Sequence, residues 1–446
     1  MRKHRALVAL AVVGAVAVAT LLGGAFSGAP KADPLAVLAA NAGGSPEQRA
    51  LGELLGGLST GHTEAYLRML ERRAARDPQD GNTLGVLALA YQQRARETGD
   101  PAYYRLSELA LQRATTAHGP LALIVQGEAS LANTRHRFAL GLRLARRAVG
   151  LDHYNGSAYA ALGDALFNLG RYRAAFRVYD HMALLAPGVA SFTRVASARE
   201  LIGHPAAAAS ADTLAIESGS SVPENLAWAM VQLGNVDFNR GRLGAAAEAY
   251  RRALRRLPGY VHAEAGLARV EASEGRYGQA IARLNRVVAQ LPIPAYAILL
   301  GDTLRASGRP WAAQREYRLV GAIERLFEAN GVRTELQTAL FDLDHDHDVP
   351  GALARARTAF ASAPSVYAED ALAWGLYRSG HCAAARAHSI HALRLGTRDA
   401  LLTFHRGMIE RCLGNRAAGA AFLRRALAIN PHFSLLWVPV ARRALR

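Results

Sequence analysis

Residues 159–187 read YAALGDALFNLGRYRAAFRVYDHMALLAP, and this stretch decides the fold. It reads as two antiparallel helices joined by a turn. Gly163 and Ala175 are small where the helices come closest, and larger residues fill the gaps around them. Gly170 supplies the turn, and Pro187, which has no backbone N–H to donate, ends the second helix. One such pair cannot bury its own apolar face, so the stretch predicts neighbours of the same kind.

Those neighbours are present. Leu233-Gly234, Gly241, Ala246, Tyr250, Ala253 and Pro258 repeat the pattern over residues 227–258. Leu267, Gly275, Ala280, Leu284 and Pro292 follow, then Leu300-Gly301, Gly308, Ala313 and Tyr317. Further copies run from 371 to 397 and from 402 to 431. Earlier pairs cover 121–151 and 192–215, while residues 95–104 read as a lengthened turn.

The unit resembles the tetratricopeptide repeat, a 34-residue helix–turn–helix. Tyr159 stands at the family's Trp position, Leu162-Gly163 at its Leu-Gly pair and Leu166 at its Tyr; Ala175, Tyr179 and Pro187 stand at its Ala, Phe and Pro. Asp237 and Glu271 depart from the pattern at the Tyr position. The resemblance implies an all-α protein: an α-solenoid, wound as a right-handed superhelix, of about ten antiparallel repeats. The expected array occupies residues 47–431, with a capping helix over 432–446.

The chain has 446 residues, 51% of them hydrophobic and many of those alanine, which suits closely packed helices. Its net charge is +17, carried by arginine, since Lys3 and Lys31 are the only lysines. An anionic polymer or membrane surface is one partner class that charge allows. The plainer account is compositional bias, because arginines and acids are interspersed and no long basic run follows residue 31.

A basic Met1-Arg2-Lys3-His4-Arg5 precedes an uncharged apolar run over residues 6–26. That order is expected of an export signal or a single membrane anchor, with the body outside the cytoplasm, secreted or membrane-tethered. Ser27-Gly28-Ala29 is a small-x-small triplet followed by Pro30; no cysteine lies nearby, which excludes a bacterial lipid anchor. Residues 27–46 read as a flexible linker.

No nucleotide-binding glycine loop, HExxH or CxxC is present, and no cofactor is expected. Residues 342–348, DLDHDHD, form a metal-like cluster, with His345 and His347 as weak candidate ligands for a metal-dependent enzyme. A calcium loop needs Gly where His347 stands and Glu where Leu353 stands, and the register places the segment in a turn, so a solvated polar turn is the favoured account. Cys382 starts a second helix and Cys412 lies near the end of the next first helix; antiparallel neighbours bring those ends together, making the pair a disulfide candidate in an oxidising compartment.

In the family the first helices line a concave groove that holds a protein or peptide segment. The register projects onto that groove Asp164, Asn168, Trp228, Asn235, Phe238, Asn239, Arg269, Arg305, Asp370, Trp374, Tyr377, Arg378 and Arg411. Aromatic and arginine side chains are typical anchors, and asparagine amides can grip a bound backbone. Some of these residues are expected to serve packing between helices instead. The resemblance thus implies a non-catalytic scaffold for protein–protein interaction, with no specific nucleic acid among its partners.

Overall fold

A computed structural model describes Leu51, Leu54 and residues 63–220 and 222–446. The expected signal or anchor over 1–26 and the linker over 27–46 lie outside the described residues. Among the described residues the protein is all-helical, with 22 helices and no strand, all in one compact unit within residues 58–446.

Helix α1 (Thr63–Arg76) is the second helix of an incomplete pair, and ten complete hairpins follow. Their first helices are α2 (Gly81–Thr98), α4 (Leu121–Thr134), α6 (Gly156–Asn168), α8 (Val189–Leu201), α10 (Pro223–Asn239), α12 (Val261–Ser273), α14 (Pro294–Ala306), α16 (Glu335–Asp344), α18 (Val366–Arg378) and α20 (Ala400–Cys412). Their second helices are α3 (Ala102–Thr116), α5 (Phe138–Leu151), α7 (Tyr172–Leu185), α9 (Pro205–Glu217), α11 (Leu243–Arg256), α13 (Tyr277–Gln290), α15 (Pro310–Ala329), α17 (Val349–Ser362), α19 (Cys382–Ala392) and α21 (Arg416–Ile429). Helix α22 (Trp437–Ala444) closes the chain and covers only part of the expected 432–446. The lengthened turn expected at 95–104 is corrected: α2 itself runs on to Thr98, and Gly99, Asp100 and Pro101 alone make the bend.

Four first helices, α2, α6, α18 and α20, start on side-chain caps that satisfy otherwise orphaned N–H groups. Asp80 accepts from Thr83 N at 3.0 Å, Asn155 from Ala158 N at 3.1 Å and Asp399 from Leu401 N at 2.8 Å. Inside the hairpins one contact recurs. A Cβ at Gly163, Gly234 or Gly301 would overlap the ring of Tyr179, Tyr250 or Tyr317, so the missing side chain is what admits the ring. Each tyrosine hydroxyl then donates to the residue after its glycine: to Asp164 at 2.9 Å, Asn235 at 2.8 Å and Asp302 at 2.8 Å. Burial of such a ring stabilises by about 1.5–3 kcal/mol. The two acids that replace Tyr are paired: Glu271 receives Arg283 at 2.9 Å, and Asp237 receives Arg242 at 3.3 Å.

The array coils until its second superhelical turn rests on its first. Tyr172, just past the Gly170 bend, accepts a hydrogen bond from Val366 N at 2.7 Å. His136 Nδ1 donates to the Arg333 carbonyl at 2.6 Å, and Asn430 Nδ2 to the Phe238 carbonyl at 2.9 Å. Gly203 lies against the Gly396 carbonyl, and Gly99 against Leu291 and Ile293. In every case the bend inside one hairpin meets the loop that follows the fifth hairpin after it. Small rotations between successive repeats sum to this closure.

Candidate functional site

Because the turns abut, the first helices form an inner layer and the second helices an outer one. Charge separates with the layers. The ten outer helices of the hairpins hold 22 arginines against 8 acids, the ten inner ones 9 arginines against 15 acids. The basic character of the chain is therefore an outer-layer property.

Three of the groove candidates meet where the two superhelical turns face each other. Phe238 is buried, and the Arg269 guanidinium lies 3.7 Å from its ring centre. Arg269 and Asn239 line a cavity of about 180 Å³ with Glu200, and Tyr367, Arg398 and Asp399 form the opposite wall. Asn239 Nδ2 donates to Glu200 Oε1 at 2.9 Å. Burial, and then the Asp399 carboxylate, push the Glu200 pKa up against the pull of Asn239 and Arg269. Burial likewise raises Asp399 and lowers Arg269. The Tyr367 ring is 42% exposed, yet burial foremost pushes its hydroxyl pKa up. The ring borders this cavity.

A second group of candidates is occupied internally. Trp374 is buried, stacks on Tyr377 at 4.8 Å and on His405 at 4.1 Å, and donates Nε1 to Asp344 Oδ1 at 3.0 Å. The C-terminal Trp437 donates to the same oxygen at 3.1 Å. Arg378 reaches the Leu343 carbonyl and Asp346, and Asp370 receives His405 Nδ1 at 2.8 Å. Trp374, Arg378 and Asp370 are thus spent on packing, with α22 closing over them. Arg411 is half-buried near Tyr377.

The other candidates are dispersed. Asp164 and Asn235 accept the tyrosine hydroxyls, and Asp164 also receives Arg194 Nη2 at 2.7 Å. Asn168 donates to the Asp164 carbonyl at 2.9 Å and lines a smaller cavity near His136. Trp228 packs edge-on to His262 at 5.5 Å, and burial pushes the His262 pKa down to about 4. Arg305 is exposed beside Tyr317. The thirteen candidates therefore fall into these three groups along the array. The register singled out Asn239 and Arg269 but missed Glu200, Tyr367, Arg398 and Asp399. Arg398 and Asp399 sit in a loop that an open solenoid would hold away from its groove.

The Asp/His segment forms the end of α16 and the bend after it. His345 points inward to Asp302 at 2.8 Å, and His347 is exposed and turns to Asp342 at 2.9 Å. The two imidazoles thus take carboxylates on different helices. Among the described residues no three or more His, Cys, Asp or Glu gather as metal ligands. Cys382 and Cys412 are paired, with Cα atoms 6.1 Å apart.

Residues 238–320 match the tetratricopeptide-repeat family, a span that runs from the end of α10 into α15. This part of the chain belongs to the tetratricopeptide-repeat family. No curated protein sequence matches it. It is similar in fold to a tetratricopeptide repeat protein from Parabacteroides merdae, at 13% identity and TM-score 0.40, over 55% of this chain and 98% of that one. The human IFIT1 dimer with PPP-AAAA aligns at 14% identity and TM-score 0.42, over 88% and 92%. The Cut9–Hcn1 hetero-tetramer of the APC/C aligns at 13% and 0.38, over 93% and 98%. Likenesses this distant carry nothing about partner or activity. No helix among the described residues is long and apolar enough to cross a membrane.

Proposed function

We propose that this tetratricopeptide-repeat scaffold holds a polar or basic segment of a partner protein in the cavity between its two superhelical turns. The fold suggests protein–protein interaction in general; the lining of that cavity supports the narrower reading. Glu200, Asn239, Arg269, Tyr367, Arg398 and Asp399 converge there from both turns. At about 180 Å³ the space admits a single side chain, whereas pockets for small-molecule ligands run to roughly 300–1,000 Å³. The acidic excess of the inner layer favours a basic segment. The protein supplies positioning and no catalysis of its own. The apolar run at residues 6–26 exports or tethers it, with the array outside the cytoplasm.

The test places a photo-crosslinking side chain at Tyr367, or at Arg252 on the outer layer, in protein exposed to envelope extract. Adducts from position 367 that weaken in a Glu200→Gln background are expected. Equal adducts from both positions, or none from 367, overturn the reading.

The arginine excess of the outer layer favours a second reading, contact with an anionic polymer or membrane surface. Retention on heparin that falls steeply with salt, and falls further when Arg251, Arg252, Arg255 and Arg256 are replaced by Gln, would favour it. Retention that the four replacements leave unchanged would exclude it.

A further inference from the structure

The contact between superhelical turns uses the bends of hairpins one to five and the loops after hairpins six to ten. The bend of hairpin six is itself met by His432, which hydrogen-bonds to the Ser273 backbone. The bends of hairpins seven to ten and the loops after hairpins one to five form two rims that no described residue packs against in this way. The glycines report the difference. A Cβ at Gly99, Gly170, Gly203 or Gly241 would run into the next superhelical turn; at Gly308, Gly380 or Gly414 it would meet nothing within 4 Å.

Both free rims also expose large apolar side chains. On packed bends, Phe138 and Tyr172 stand two residues past the bend; Phe138 lines a cavity together with residues of the next turn, and Tyr172 hydrogen-bonds to that turn. On a free bend, Trp311 stands three residues past Gly308 and is 87% exposed. On the free loops, Leu121, Leu151, Tyr154 and Leu184 are 45%, 43%, 80% and 83% exposed, at consecutive hairpins. Apolar residues exposed together along one rim mark an interaction surface more strongly than the same residues scattered singly.

We infer that the rims are filled by a second copy of this chain. The bend rim of one molecule seats on the loop rim of the next, continuing the superhelix through the same kind of contact that already joins its two turns. The continuity of surface argues for a copy over an unrelated protein: each rim is the repeat-equivalent of a surface that already has a partner within the chain. Such an interface is heterologous, since it joins different patches on the two molecules. Each addition therefore presents a fresh rim, and assembly is open-ended.

The test is the mass distribution of the full-length protein by sedimentation velocity over a range of concentrations. Trp311→Glu removes the bend rim and Leu184→Glu the loop rim; both residues are more than four-fifths exposed, and unchanged circular-dichroism melts confirm intact folding. Wild type is expected to grow with concentration through dimers to longer species. Each variant alone is expected to weaken association at least ~tenfold, the effect of about 1.4 kcal/mol. An equimolar mixture of the two is expected to restore dimers and stop there, since each variant keeps one competent rim. A wild-type monomer at every concentration, as when residues 1–62 cover a rim, overturns the inference. So does association that neither variant reduces, as when the apolar run at 6–26 drives it, or a mixture that fails to dimerise.

Discussion

The hydroxyl of Tyr172 accepts a hydrogen bond from the backbone N–H of Val366 across 194 residues of sequence. Tyr172 opens the outer helix α7, and Val366 is the first residue of the inner helix α18, where no intrahelical acceptor exists for its N–H. Arg394 adds its guanidinium at 5.5 Å from the same tyrosine ring. One side chain of the first superhelical turn thus caps a helix of the second. The enclosed inner layer, and with it the cavity lined by Arg269 and Tyr367, depends on that kind of contact.

Two glycine substitutions should act with opposite sign. At Gly234 a Cβ would strike the buried Tyr250 ring, so Gly234→Ala is expected to cost about 1–3 kcal/mol. Gly244, inside α11, has nothing within 4 Å of its would-be Cβ. There Ala should stabilise the helix by about 0.5–1 kcal/mol. Chemical denaturation of both variants measures the difference.

The Cys382–Cys412 pair joins the start of α19 to the end of α20 and closes a loop of 30 residues. In protein purified without reductant, no free thiol is expected by Ellman assay after unfolding. Reduction should lower stability by roughly 3–4 kcal/mol in the chain-entropy account. Glu410 reinforces the same joint. Burial would raise its pKa, but hydrogen bonds from Asn415, Arg386 and Arg406 outweigh that and hold it at about 2.

Asp212 gives the fold a pH dependence. It is buried in α9, neither of its oxygens has a hydrogen-bond partner, and burial, then Glu200, raise its pKa to about 8. Between the ordinary carboxyl value of 3.8 and about 8 the unfolded chain is ionised while the folded one keeps its proton. Folding stability should therefore fall as pH rises through that window and level off above it. The loss is on the order of 6 kcal/mol at ~1.4 kcal/mol per pKa unit. Thermal melts of Asp212→Asn across the same window should show a flatter pH dependence than wild type; an unchanged slope would place the titration elsewhere.

The hairpins were legible in the sequence because their determinants are local. Gly163 and Tyr179 lie 16 positions apart and meet inside one unit, and the same pairing marks Gly234 with Tyr250 and Gly301 with Tyr317. What the register concealed was curvature. The rotation between neighbouring repeats is set by many small contacts, and only their sum over five repeats brings Asp399 beside Glu200. Trp374 shows the same limit from the other side. It has the position and chemistry of a partner anchor, but Trp437, from beyond the last hairpin, packs against it at 5.4 Å. Charge segregation needed only the assignment of helices to layers; the +17 total hides an acidic inner layer.

Hydrogen exchange at the Val366 amide tests most directly whether the second superhelical turn rests on the first. As the first N–H of a helix, it would exchange at the rate of an exposed amide in an open solenoid. The stacked arrangement predicts slow exchange in the wild-type protein. In Tyr172→Phe, exchange should be at least ~tenfold faster, the effect of losing a buried hydrogen bond worth about 1.4 kcal/mol. Fast exchange in the wild type, unchanged by Tyr172→Phe, would contradict the closed array and the inner cavity built on it.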